Sequence, residues 1–495
     1  MKLLCSSFQE HKNAVVIPLF EDKTIAKDVR TCFSNEEMGT IQLFLKQERE
    51  WNRGAVHYLF LPNGTHILFV AKGTKEKWSI RNTRVVSRCI VAHLKQLRIS
   101  EASVDCRALL VDGYDEEEIF ELVATEMMMA DFSFDTYKQS GRQEKQHEMI
   151  VHLAVAGSAS KKKALTSAVE RGSIIGEEVN SARVLSNTPG SDMTPDIFAD
   201  RAQKECETHG VTIEVWDENK IQDMGMGGVW GVGKGSVIKP RFLILKYEPN
   251  ARQSQPLVFA GKGVTFDTGG LNVKPGNAMY EMHMDMSGAS AVVRSIIGIA
   301  RLGVPVNAIG LVPVVENAVS GESYKPGDIL TSITGKTIEV LNTDAEGRVI
   351  LADALGYAQQ LNPKLVIDIA TLTGAALAAL GVQANAFFTN NQESEGLIRD
   401  LGEKSGDYMW QLPLWEEYEQ EVKGVFGDVA NTGKSRYGGT IAGAMFLKEF
   451  VDYPWAHIDM APTMVSSDGD YLAKGAKGTG VRFLIAVARH FAAKK

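Results

Sequence analysis

Beyond residue 190 the chain follows a rhythm that few folds can accept: apolar runs of strand length alternate with stretches of helical spacing. Phe242 to Tyr247, Leu257 to Ala260, Asn307 to Val315, Leu365 to Ile369 and Ala456 to Met460 are such runs. Helical spacing fills the intervals at about 287–302, 348–361 and 439–453. Strands that are apolar along most of their length are buried on both faces, so the pattern predicts an α/β domain with a central sheet flanked by helices.

The first 160 residues alternate in the same way on a smaller scale. Asn13 to Phe20 reads as a strand, and Tyr58 to Leu61 with His66 to Val70 reads as a hairpin around Asn63-Gly64. Val85 to Leu97 and Glu116 to Met129 have helical spacing, while Ala108 to Val111 and Met149 to Val155 read as strands. Gly157 to Lys163 is small and polar, a plausible junction. A connecting helix follows from Ala164 to about Leu185 and stops before Asn187-Thr188-Pro189-Gly190. At 495 residues the chain exceeds what one core supports. The expected division is therefore an N-terminal α/β domain over 1–160, a link over 161–190 and a larger domain over 191–495.

Composition narrows the class. With 44% hydrophobic and 23% charged residues the chain is neither mainly disordered nor, lacking any long apolar run, a membrane-spanning protein. A formal charge of -8 argues against a general nucleic-acid surface. Cys5, Cys32, Cys89, Cys106 and Cys206 match no zinc ribbon or CxxC pair, which fits a reducing, cytoplasmic setting. Met1 to Ser6 resembles the start of a secretion signal, but Gln9-Glu10-His11-Lys12 interrupts it before an apolar core of adequate length.

Two segments carry the chemistry. One runs from Gly261-Lys262-Gly263 through Asp267-Thr268-Gly269-Gly270 and Lys274-Pro275 to Asp285; the other is Asn342-Thr343-Asp344-Ala345-Glu346-Gly347-Arg348. Each follows a predicted strand, and the ends of strands are where open α/β sheets bind ligands. Taken singly, each residue has an ordinary explanation. Asp285 could cap the helix that follows, Thr343 and Glu346 match a capping box, and Asp267 could shape a turn. Lys262, Lys274 and Arg348 could be solvated charges. Together, four acids among glycines at successive strand ends would converge in a small site, where they must protonate or hold cations. Two divalent ions balance them, and a donor set rich in oxygen suits Mn, Mg or Zn.

Competing motifs are weaker. Beyond residue 210 only His283, His457 and His490 occur, and there is no HExxH helix. His457 lies in an apolar run and reads as a satisfied core residue. Gly228-x4-Gly233-Lys234 resembles a phosphate loop, but Gly235 stands where its hydroxyl residue belongs. No GxSxG elbow is present.

The two segments closely resemble the leucyl aminopeptidase family of binuclear metallopeptidases. Asn342 to Arg348 is that family's signature heptapeptide in full, and Gly261 to Asp267, Gly269-Gly270, Lys274-Pro275 and Asp285-Met286 match in order and spacing. Thr268, and Val349-Ile350 after Arg348, depart from the commonest pattern without touching a ligand position. The resemblance runs from about residue 180 to the end and is vaguer before 160, where domain order alone implies a macro-domain-like fold. It implies that Lys262, Asp267, Asp285 and Glu346 bind a tightly held metal, and that Asp267, Asp344 and Glu346 bind an exchangeable one. Lys274 and Arg348 would be the catalytic cations.

A water bridging metals roughly 3.5–4 Å apart becomes a hydroxide near neutral pH and attacks the scissile carbonyl of an N-terminal residue. Lys274 would then stabilise the oxyanion. Arg348 cannot act as a base, and the resemblance implies that it holds bicarbonate as proton relay. Met282, Thr371, Gly374, Ala461 and Met464 match the family's side-chain pocket, an apolar slot suited to Leu or Met. The resemblance further implies two Mn²⁺ or Zn²⁺ ions per subunit, peptide substrates with a free amino end, and a homohexamer. The rival readings are another binuclear hydrolase, such as a phosphoesterase, and a secondary DNA-binding role.

Overall fold

A computed structural model describes residues 1–6, 13–139, 148–155, 157–249 and 255–493. Residues 9–12, which interrupt the signal-like start, lie outside this set. The chain forms two units: Met1–Asn180 with Ser467–Ala473, and Ser181–Ser466 with Lys474–Lys495.

The first unit holds a six-stranded sheet in the order β1-β6-β5-β2-β4-β3. Its strands are β1 (Lys2–Ser6), β2 (Ala14–Leu19), β3 (Val56–Phe60), β4 (His66–Ala71), β5 (Glu101–Val104) and β6 (Ile150–Ala154). All neighbours are parallel except the hairpin β3–β4, which turns at Asn63-Gly64 with Gly64 at φ 90°. Helices Ile80–Gln96 and Glu116–Asp131 share one core with alternate residues of the sheet. Helix Asn35–Lys46 joins a second core with the residues between them.

The strand expected at Ala108 to Val111 does not form. Cys106–Leu109 is a 3-10 turn, and the strand is β5, just upstream. The run is apolar because Leu109 is buried, while its carbonyls are met by side chains and not by a neighbouring strand. Thr83 Oγ1 donates to Leu109 O at 3.1 Å and Trp78 Nε1 to Leu110 O at 2.9 Å. The connecting helix starts earlier than expected and spans Ala159–Asn187. Gly172 and Gly176 let it lie close to helix Glu116–Asp131; a Cβ on Gly172 would come within 2.2 Å of Glu121 O.

The second unit is built on a nine-stranded mixed sheet, β16-β15-β18-β14-β9-β11-β8-β7, with β10 also paired to β11. The strands are β7 (Thr212–Trp216), β8 (Arg241–Tyr247), β9 (Leu257–Gly261), β10 (Gly263–Asp267), β11 (Ala308–Asn317), β14 (Leu365–Ala370), β15 (Asn385–Thr389), β16 (Met409–Gln411) and β18 (Trp455–Asp459). A small sheet joins β12 (Ile329–Thr331), β13 (Thr337–Glu339) and β17 (Val429–Ala430).

Side-chain alternation along β11 separates the two faces of the large sheet. Gly310 meets Val292 and Ile296 of helix Ser287–Arg301. Ile309 and Leu311 join the core that contains helices Glu346–Ala358 and Gly439–Lys448. The central strands β18, β14, β9, β11 and β10 run parallel, so their carboxyl ends open on one edge. Lys262, Asp267, Asn317, Thr371 and Asp459 stand on or just after those ends.

Candidate metal centre

Lys262 follows β9 and is 3% exposed. Its Nζ lies 2.8 Å from Asp285 Oδ2 and 2.9 Å from Glu346 Oε1, and donates to Thr371 O at 2.9 Å. Gly347 exists to admit this side chain: a Cβ there would stand 2.6 Å from Lys262 Cδ and Cε. Asp267 ends β10, and its Oδ1 accepts from Gly269 N and Asn317 Nδ2, both at 2.8 Å. That leaves Oδ2 directed at Lys274 Nζ, 2.8 Å away, which also lies 2.6 Å from Asp344 Oδ1. Asp267, Asp344 and Glu346 each offer an oxygen within 4.8 Å of the others. The structure thus draws the five expected ligands and Lys274 into one cluster that joins the two segments.

The ordinary explanations for single residues mostly fail. Met286, not Asp285, occupies the cap position of helix Ser287–Arg301. Asp285 Oδ1 instead accepts from Thr371 Oγ1 at 2.6 Å. No capping box forms at Thr343, whose hydroxyl donates to Gly269 O at 2.7 Å and accepts from Asn272 N at 2.8 Å. Asp267 does shape its turn, through Gly269 N, while keeping one oxygen for the cluster. None of the three cations is solvated surface: Lys262 and Arg348 are buried and Lys274 half-buried.

Electrostatics mark the cluster as too acidic for its own cations. Burial, reinforced by Asp267, pushes Glu346 up to about 8, against the pull of Lys262. Burial likewise pushes Asp285 up to about 6, and it raises Asp344. Burial would lower Lys262, but Asp285, Glu346 and Asp267 outweigh it and hold the ammonium above its usual range. Lys274 is raised in the same way by Asp267 and Asp344. Glu346 Oε2 is buried without any hydrogen-bond partner. Asp285 Oδ2 lies against the Lys262 ammonium and Asp344 Oδ1 against that of Lys274. Four carboxylates, one orphaned oxygen and an amine able to ligate once deprotonated make a donor set that fits divalent ions.

Arg348 lies in the first turn of helix Glu346–Ala358, buried, with Nε unpartnered and, among the described residues, no ion pair. Burial lowers it to about 10, opposed by Glu346 and Asp459. A Cβ on Gly443 would stand 3.4 Å from its Nη2, so helix Gly439–Lys448 packs against the guanidinium.

Of the expected pocket residues, Met282 begins the turn that leads to Asp285, and Thr371 is bonded to Asp285. Gly374 opens helix Gly374–Leu380, which packs on the 3-10 turn Ala461–Thr463. Met464 caps that turn. His457 is a core residue, with Nδ1 2.6 Å from Asp368 Oδ1. The phosphate-loop-like glycines form the short helix Gly227–Gly233.

Three residues of the site escape sequence reasoning. Asn317 Nδ2 donates to both Asp267 Oδ1 and Thr343 O, and Tyr324 OH to Thr343 O at 2.7 Å. Asp459 is the third, bonded to both Thr373 and Ala461. The only signal for Asn317 and Asp459 was a polar residue closing an apolar strand.

Comparison with known proteins gives the same answer. The cytosol aminopeptidase family's catalytic-domain model matches residues 180–485, and its N-terminal-domain model matches 35–141. A probable cytosol aminopeptidase of Syntrophotalea carbinolica is 44% identical over 365 residues, covering 72% of each chain. One from Chlorobaculum tepidum is 41% identical over 431 residues, covering 84% of this chain and 85% of the relative. Among solved structures, the bottromycin maturation enzyme BotP in complex with Mn superposes with a TM-score of 0.85 at 28% identity, covering 97% of this chain and 100% of that one. The chain belongs to the cytosol aminopeptidase family and is a metal-dependent aminopeptidase of leucyl aminopeptidase type.

Proposed function

We propose that the enzyme removes single N-terminal residues, preferring Leu and other apolar side chains, at a two-metal centre. Lys262, Asp267, Asp285 and Glu346 would hold one ion, and Asp267, Asp344 and Glu346 the other. The observation that carries this is the charge imbalance: three buried carboxylates and the half-buried Asp344 face two ammonium groups, with Glu346 Oε2 left unpartnered. Two divalent ions, Mn²⁺ or Zn²⁺, supply Lewis-acid activation of water and of the scissile carbonyl when bound.

The chain's own groups then have separable tasks. Lys262 gives up its proton to become a ligand, so loading competes with the proton that Asp285 and Glu346 now help it keep. Lys274, oriented by Asp267 and Asp344, stays an ammonium and stabilises charge on the carbonyl oxygen. Arg348, an unpaired buried guanidinium, binds a small anion such as bicarbonate that carries the proton. Met282, Thr371, Gly374, Ala461 and Met464 line the slot for the leaving residue's side chain. The reading includes a cytoplasmic homohexamer, and takes 1–160 as N-terminal domain, 161–190 as link and 191–495 as catalytic domain.

A leucine chromogenic amide, its N-acetylated form and a phosphate ester test this directly. Only the free-amine amide should turn over. Faster turnover of the phosphate ester, or equal turnover of the blocked amide, would overturn the proposal.

A further inference from the structure

Asp459 closes β18 and is fully buried; among the described residues it forms no ion pair, although its charge is felt by the Arg348 guanidinium. Such a carboxylate is costly unless its oxygens are well used. Oδ1 accepts from Leu372 N at 3.1 Å, Thr373 N at 3.4 Å and Ala461 N at 3.3 Å. Oδ2 accepts from Thr373 Oγ1 at 2.6 Å and Thr440 Oγ1 at 3.1 Å. One side chain therefore ties together the loop after β14, the turn Ala461–Thr463 and the start of helix Gly439–Lys448.

The loop after β14 is held at both ends. At its start, Thr371 Oγ1 donates to Asp285 Oδ1 and Thr371 O accepts from Lys262 Nζ. At its far end, Thr373 Oγ1 accepts from Ala376 N at 3.1 Å, which commits the hydroxyl proton to Asp459 and fixes the direction of helix Gly374–Leu380. Thr371 lies on this loop, Gly374 directly follows it as the first residue of the helix, and Ala461 lies on the turn that Asp459 also holds. We propose that Asp459 is a positioning residue that fixes the spacing of the two slot walls, and through it the choice of N-terminal side chain. This rests on the aminopeptidase reading above.

The test is the ratio of kcat/KM for leucine and alanine amides, measured with metal content on the purified full chain. Asp459→Ala should keep its metals and lower the leucine-to-alanine ratio by about tenfold, the scale on which small apolar groups are discriminated, chiefly through KM for the leucine substrate. Asp459→Asn retains an oxygen for the backbone donors but turns an NH2 donor towards the two hydroxyls that donate to Oδ2, so it should lower the ratio by less than Asp459→Ala. Should Asp459→Ala not fold, Thr373→Val decides. It removes one of the two Oδ2 bonds and the helix cap while leaving the carboxylate, and should lower the ratio by about threefold. A folded variant with the wild-type ratio, or with an equal loss on both substrates, overturns the proposal. A wild type that cleaves neither amide overturns the underlying reading instead.

Discussion

In the first unit Glu126 is buried between Arg84 and Arg88, 2.9 Å and 3.0 Å away, and Arg88 also donates to Asp470 O at 3.0 Å. In the second unit Asp267, Asp285, Asp344 and Glu346 crowd around Lys262 and Lys274, with one carboxylate oxygen unpartnered and two carboxyls raised to about 6 and about 8. Both clusters are buried, and both join residues distant in sequence. They differ in balance. The first sets two arginines against Glu126 and Asp470, with Arg88 3.6 Å from Asp470 Oδ1, and its geometry ties helices together. The second has more acid than its own cations can neutralise, so it is stable as an ionised centre only with further positive charge. A buried ion cluster by itself says little about stability or function; its unmet charge separates the two roles.

Substitution should separate the two clusters. The largest effect is expected at Glu346→Gln. Metal affinity and turnover should each fall by more than about 100-fold, since loss of a side chain that only hydrogen-bonds a metal ligand costs up to that much. The metal-free variant should be no less stable than wild type, because burial already keeps Glu346 largely protonated near neutral pH and Gln replaces a neutral acid. Lys274→Ala comes next: both metals should remain, while kcat falls by about 10²–10³-fold, as for loss of an oxyanion donor. Metal analysis beside amide turnover checks both.

Glu126→Gln should behave in the opposite way. Unfolding stability should drop by about 3–5 kcal/mol, the cost of stranding buried charge, while the fraction still folded keeps its metals and rate. If Glu126→Gln and Glu346→Gln affected stability equally, the distinction between the clusters would fail.

The smallest effect is on pH dependence. A carboxyl whose pKa is raised on folding adds stability that is full below its unfolded value of about 4 and is lost as pH rises through the folded value. For Asp285 and Glu346 that loss runs through about 6 and about 8. Chelated protein should therefore unfold at lower urea as pH rises across this window. Metal-loaded protein should not, because its ligands are wanted ionised.

Much of this was legible in the chain. The five long apolar runs became β8, β9, β11, β14 and β18, since strands buried on both faces announce themselves by continuous hydrophobicity. The segment Gly263–Asp267 was harder: its glycine and acid suggest a loop, yet it pairs with β11 as β10, with a register shift between Val264 and Phe266. Short strands such as β12, β13 and β17 have two or three residues and leave no periodicity to read. Cap readings at Asp285 and Thr343 failed because those groups are satisfied by Thr371 and Gly269, some 70 to 90 residues away. Asp459 sits in the run around Trp455–Asp459 and gave no hint that its carboxylate gathers three segments.

Removal of metal decides whether the acid cluster works as a metal centre. After exhaustive chelation, hydrolysis of a leucine amide should fall to background and return when Mn²⁺ or Zn²⁺ is restored. Cleavage at the untreated rate by protein shown to be free of metal would contradict the account.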